Sequence, residues 1–246
     1  MKLEYQTSKK DIGKTVNQIL TTEFKFSARL LAKLIKLKKI YINHKIADSR
    51  NVIKTQNIIT IDLSYEEDNS NIIPTQIKLD IIYEDEWMLV VNKPAGIPIH
   101  PSRLHYTDSL SNGIKFYFDS IGLAKKIRPV NRLDLDTSGL VIFAKCEYIQ
   151  EVFSRQMANK TFKKEYICLV EGLLEHKIGT INLPIARKDG SIIERCIDES
   201  NGHPSITHYQ VIQEFPKYSL IKCELETGRT HQIRVHMAAI VHPLLR

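Results

Sequence analysis

The sequence predicts an α+β protein: a small α+β module followed by a larger domain built on a mixed, largely antiparallel sheet. Three observations carry that prediction. Residues 27–63 hold one helical pattern followed by short strand patterns. A polar, acidic, Pro-bearing stretch, "SYEEDNSNIIPTQIK" (64–78), then breaks the apolar periodicity, as a linker does. From Leu79 onward short apolar runs alternate with turn residues, and strands outnumber helices. The predicted organisation is therefore a module over 1–63, a linker over 64–78 and a second domain over 79–246.

Each element has a local reason. In "FSARLLAKLIKLKKIYINHKI", Ser27 is placed to cap a helix whose Leu30, Leu31, Leu34 and Ile35 recur at helical spacing. Arg29, Lys33 and Lys36 fall on the opposite side as a basic stripe, with Lys38 just beyond. Residues 40–42 have strand character, 43–45 are turn-like, and 58–63 supply another strand. In the second domain, strands are expected over 79–83, 87–92, 140–144, 161–170, 207–213 and 219–224. Lys93-Pro94-Ala95-Gly96 ends the second of these sharply. Helices are expected over 107–118, 148–156 and 230–240.

Composition narrows the function classes. With 43% hydrophobic and 26% charged residues the chain is an ordinary globular protein. It has no run of about 18 apolar residues to span a membrane, and its start lacks a signal-peptide core. Cys146, Cys168, Cys196 and Cys223 are scattered, which suits reduced thiols and a cytoplasmic protein. Charge is uneven. Residues 1–62 carry thirteen Lys and Arg against five acids, a net of +8, so the rest of the chain holds −1 of the total +7. Such concentration is the footprint of a polyanion partner, or else a solvated basic face.

Candidate chemistry begins with "RPVNRLDLDTSGLVIFAK" (128–145), where Arg132, Asp134 and Asp136 share a polar turn at the mouth of a strand. Carboxylates there serve either as turn formers or as reactive groups. The Asp134-x-Asp136 spacing also allows a divalent metal, and a paired-carboxylate glycosidase needs its acids roughly 5–9.5 Å apart. The histidines near the C-terminus lack the i, i+4 pair of a helical zinc site. "GRTH" lacks the glycines of a phosphate loop. Cys168 has no evident base beside it. In "ELETGRTHQIRVHMA", Thr227 and Gly228 lead into a helix that sets His231 and Arg234 three residues apart on one face.

Taken together, "NRLDLDTSG", "YEDEWMLVVNKPAG", "KKEYICLVEG", "PSITHYQVI" and "TGRTHQIRVHMA" resemble, in the right order, the blocks of the RluA family of pseudouridine synthases, over about residues 79–244. Residues 12–63 resemble the small alpha-L RNA-binding domain first described in a ribosomal small-subunit protein, with His44 in place of its usual glycine. The resemblance implies a cofactor-free isomerisation of uridine in RNA. Asp134 would be the catalytic aspartate, Tyr166 the aromatic residue packing on the target base, and Arg234 the cation paired with the carboxylate. Arg132 would fill the vacated stack or hold a phosphate, and Arg29, Lys33, Lys36 and Lys38 would contact RNA. The expected partner is ribosomal RNA, or alternatively tRNA. No membrane, metal or small-molecule cofactor is expected, and a monomer is. Two departures stand out. Asn131 replaces the family's histidine, and "HPLLR" stops where relatives continue, which suggests truncation and, as the competing expectation, an inactive RNA-binding protein.

Overall fold

The computed structural model describes residues 1–54 and 57–245; Thr55, Gln56 and Arg246 lie outside the described residues. The chain divides into two compact units, Met1–Arg155 and Gln156–Arg246.

The first unit contains two antiparallel sheets. Strands β1 (Lys2–Gln6), β2 (Ile40–Ile42), β3 (Lys45–Ile46) and β4 (Ile58–Asp62) pair in the order β1-β4-β2-β3. Helices α1 (Val16–Thr22) and α2 (Ala28–Lys36) bury Val16, Ile19, Leu20, Leu30, Leu31 and Leu34 in one core with Ile40, Ile59 and Ile61. Both helices begin where a side chain takes up an otherwise orphaned amide. Thr15 and Gln18 form a reciprocal capping box, and Ser27 Oγ accepts the Leu30 N–H at 3.1 Å, as its position predicts. Ile42 lies opposite Lys45, so Asn43 and His44 form a two-residue hairpin loop, with φ of 47° and 68°. Both are left-handed, as a type I′ turn requires. Asn adopts this readily; for His44, standing in the glycine position, it costs about 1 kcal/mol.

The second sheet of this unit runs β5-β6-β7, comprising Ile81–Glu84, Met88–Lys93 and Gly139–Ala144. Helix α3 (Leu110–Ser120) covers it, packing Leu110, Ile114 and Phe118 on Leu89, Val91, Val141 and Phe143. Helix α4 (Glu147–Ala158) follows β7.

The acidic stretch after β4 is fixed by charge. Arg128 grips Glu67 with both terminal nitrogens at 2.7 Å, and Lys33 Nζ bonds the same carboxylate at 2.9 Å. Burial pushes the Glu67 carboxyl up, but Arg128 and Lys33 outweigh it and hold its pKa at about 2. A depressed carboxylate stabilises the fold above its unfolded pKa near 4.5, and that contribution fades as pH falls toward about 2. The shift corresponds to ~3 kcal/mol at neutral pH. Glu67→Gln is therefore expected to lower the urea midpoint at pH 7 and to flatten its decline between pH 5 and 2. A pH profile parallel to that of the parent chain would contradict the pairing.

The second unit is built on an antiparallel sheet of order β8-β13-β12-β9, from β8 (Glu165–Glu171), β9 (Ile178–Asn182), β12 (Ile206–Phe215) and β13 (Tyr218–Leu225). A two-stranded ribbon, β10 (Ile185–Arg187) with β11 (Arg195–Ile197), and helix α5 (Gln232–Ala239) complete it. Val170, Ile221, Cys223 and Met237 form its buried centre. The predicted α+β class is the one observed, and every strand pairing among the described residues is antiparallel.

Two expectations are corrected. The strand predicted over 161–170 begins only at Glu165, because the amides of Thr161 and Phe162 turn back to bond the Gln156 carbonyl and close α4. Strands β1, β3, β9, β10 and β11 and helix α1 have no counterpart among the elements expected from the sequence. The other predicted elements are present with shifted ends. Among the described residues no helix is long and apolar enough to cross a membrane.

Candidate active site

Strand β6 alternates, and its buried positions are Leu89, Val91 and Lys93. Period-two geometry thus carries a lysine into the core at the end of the strand. Lys93 is fully buried, and Nζ donates to the carbonyls of Pro94 at 2.9 Å, Ile97 at 2.8 Å and Leu135 at 2.9 Å. All three ammonium donors are thereby used. The Leu135 carbonyl also accepts the Gly96 amide at 2.9 Å, and Gly96 sits at φ 86°, a conformation glycine adopts without strain. The Lys-Pro-Ala-Gly turn and the loop carrying Asp134 are tied together one residue beyond Asp134.

The other end of that loop is held by Asn131. Its Nδ2 donates to the Leu140 carbonyl and its Oδ1 accepts the Ile142 amide, both at 2.9 Å. Both faces of the amide serve as a backbone clamp on β7, which explains how Asn stands in a position where the resembled family has His. Between the clamps, the Thr137 amide bonds the Asp134 carbonyl at 3.1 Å and closes a tight turn. Asp134 is half-buried, while Asp136 and Arg132 are exposed. Burial lowers the Lys93 pKa, opposed by the charge of Asp136 and then of Asp134. Arg132 lies near His100, whose pKa is lowered by burial and then by that guanidinium. Among the described residues, no three His, Cys, Asp or Glu side chains gather as a metal site.

Tyr166 and Arg234 belong to the second unit. Tyr166 lies on β8, two residues before Cys168 on the same, more buried face of the strand. Arg234 projects from α5, half-buried, and its charge helps to lower the Cys168 thiol, after the hydrogen bond with Cys223 and against burial. Arg234 and the Tyr166 face of β8 are thus neighbours within this unit. The turn feeding α5 is locked by Gln232. Its Oε1 accepts from Thr227 Oγ1 at 2.8 Å and the Arg229 amide at 3.0 Å, and its Nε2 donates to the Ile206 carbonyl at 2.9 Å. Fully buried His236 adds bonds to Thr207 Oγ1 and the Leu183 carbonyl, each 2.9 Å. That histidine is structural, and α5 has little freedom to shift.

Of the basic residues expected at RNA, Arg29, Lys36 and Lys38 are exposed and hold no carboxylate among the described residues. Lys33 differs from them in being held by carboxylates. Besides Glu67 it bonds Glu147 at 2.7 Å, and it lies 4.5 Å from the Tyr65 ring centroid. A phosphate at Lys33 would have to displace two carboxylates, so its role in the fold is internal. Lys93 was missed by sequence reasoning, although the buried phase of "MLVVNK" points to it.

An α+β scaffold with a clamped, half-buried aspartate on the loop before β7 is a framework that suits an enzyme. Residues 87–239 match the family model described as RNA pseudouridylate synthase. The chain is 38% identical over 244 residues to the RNA pseudouridine synthase YhcT of Bacillus subtilis (strain 168), covering 98% of this chain and 80% of that relative. It is 34% identical over 219 residues to the ribosomal large subunit pseudouridine synthase D of Neisseria meningitidis serogroup B, covering 89% of this chain and 58% of that one. Among solved structures, human RNA pseudouridylate synthase domain containing 1 matches with TM-score 0.56 and 28% identity, over 68% of this chain and 67% of that one. The chain belongs to the RNA pseudouridine synthase family and is an isomerase.

Proposed function

We propose that the chain converts uridine to pseudouridine in ribosomal RNA, with Asp134 as the reacting carboxylate, Tyr166 as the platform for the extruded uracil and Arg234 as its charge partner. The observation that carries this reading is the clamped loop. Lys93 and Asn131 fix the backbone on both sides of Asp134, and the carboxylate is half-buried. Preorganisation of this kind is what a reacting group needs.

The bookkeeping of the reaction is simple. The N1–C1′ bond breaks, the uracil turns, a C1′–C5 bond forms, the C5 proton leaves and N1 gains a proton. Asp134 either attacks C1′ or removes a sugar proton, and both routes need it ionised. Extruding the uridine costs a few kcal/mol, which stacking on Tyr166 offsets in part. A guanidinium is suited to hold a carboxylate because its planar fork gives two bonds.

Residues 1–63 act in this reading as an alpha-L RNA-binding module. Arg29, Lys36 and Lys38 face phosphates, and residues 64–78 lead into the catalytic domain over 79–246. The relative that modifies the ribosomal large subunit supports ribosomal RNA over tRNA as substrate. The test uses ribosomal RNA transcripts carrying tritium at uridine C5. The purified chain is expected to release tritium to solvent as C5 is joined to the sugar. No release from ribosomal transcripts, with release from tRNA transcripts, would overturn the substrate; no release from either would overturn the activity.

A further inference from the structure

A second charged site lies in the Gln156–Arg246 unit, formed by residues given no catalytic role above. The ribbon β10–β11 and the turn before α5 enclose a cleft of about 350 Å³, lined by Arg187, Arg195, His203 and Arg229, with no acidic side chain in its wall. Arg187 and Arg195 are direct cross-strand partners. Their side chains therefore project to the same face at the closest spacing that an antiparallel pair offers. Like charges so placed are destabilising. Among the described residues no carboxylate pairs with Arg187, Arg195 or Arg229. The Arg195 guanidinium donates only to the carbonyls of Ile193 and Glu194, at 3.1 and 3.0 Å.

The concentration of positive charge extends behind the turn. Lys164 donates to the Thr227 carbonyl at 3.0 Å, and its pKa is lowered by burial and then by Arg229. The turn itself is rigid, because the Arg229 amide and Thr227 Oγ1 are both fixed to Gln232. A repulsive arginine pair on a short ribbon, facing a third arginine on a locked turn, is a poor choice for stability alone. It becomes favourable once an anion enters, since guanidinium forks match phosphate oxygens two bonds at a time.

We propose that this cleft is a binding site for the phosphodiester backbone of the substrate RNA, held by Arg187, Arg195 and Arg229. The inference rests on the RNA reading above and deepens it by adding a phosphate-binding site on the catalytic domain, separate from the basic face of residues 1–63.

The decisive variant is Arg187→Gln with Arg195→Gln in the full chain. Binding of a fluorescein-labelled single-stranded RNA is measured across a salt series, alongside tritium release from ribosomal transcripts and thermal melting without RNA. Three results are expected together. The slope of log affinity against log salt becomes shallower by about 0.7 for each phosphate that the variant no longer neutralises. The RNA concentration for half-maximal release rises, while the limiting rate stays that of the parent. The melting temperature without RNA is unchanged or higher, because a repulsive pair has been removed. Parent-like affinity and salt slope in the double variant would overturn the proposal, whatever the activity. A parent chain that releases no tritium, yet binds RNA more tightly and with a steeper salt slope than the double variant, would overturn the catalytic reading and leave this site standing. A double variant that melts lower would show the arginines to be structural and would also count against the site. In that case Arg229→Gln, off the ribbon, separates the two roles: unchanged RNA affinity there completes the refutation.

Discussion

Asp134→Asn is expected to abolish tritium release from uridine C5, by at least about 10³-fold, while leaving the fold and RNA affinity close to those of the parent chain. The asparagine is nearly the same size but has no charge to attack C1′ or to take a proton. The structural cost is small for a specific reason. The turn at this position is closed by the Asp134 carbonyl accepting the Thr137 amide, a backbone bond that the substitution does not touch. The loop is anchored by Lys93 on Leu135 and by Asn131 on Leu140 and Ile142, neither of which uses the Asp134 side chain. Asp136→Asn is the matched control. It removes an exposed carboxylate from the same loop, two residues away, and is expected to retain turnover. Equal losses in the two variants would show that loop charge, and not one reacting oxygen, supports the rate. Turnover in Asp134→Asn within tenfold of the parent would remove that residue from the chemistry.

The parts of this protein that could be read from its sequence are those fixed by short-range physics. Ser27 announces α2 because a cap acts over three residues, and the apolar spacing of Leu30, Leu31 and Leu34 settles its buried face. Strand β7 is visible because "GLVIFA" is apolar and follows a turn. Strands β9 to β11 escape because they are three to five residues long and carry no run long enough to show a period. Lys33 illustrates the harder failure. Its place on a basic stripe is correctly read from helical spacing, but its partners Glu67 and Glu147 lie 34 and 114 residues away in sequence. No local rule distinguishes a cation awaiting phosphate from one that the fold has already neutralised. The same limit hides the Arg187–Arg195 pair, which exists only through the register of a ribbon that composition does not reveal.

Lys93→Met is expected to be the most damaging single change to stability, at about 3 kcal/mol or more, and to lower turnover beyond what partial unfolding explains. The argument turns on what remains after the ammonium is removed. Methionine fills a similar volume and relieves the cost of a buried charge. However, the carbonyls of Pro94, Ile97 and Leu135 converge on the buried Nζ, and each loses a donor at 2.8 to 2.9 Å. An acceptor left unmet and shielded from water costs about 1–3 kcal/mol, and among the described residues only Leu135 of these three retains another bond, from Gly96. Loss of that grip also frees the backbone one residue from Asp134, so the reacting carboxylate samples unproductive positions. A misplacement of about 1 Å can cost roughly 10² in rate. The two consequences separate experimentally. Denaturant unfolding at pH 7 reports the stability loss, and turnover at a temperature where the variant is fully folded reports the positioning loss. A variant that is destabilised but turns over normally once folded would confine Lys93 to the core. One as stable as the parent would mean that the three carbonyls find other donors and that the clamp under Asp134 does not depend on this lysine.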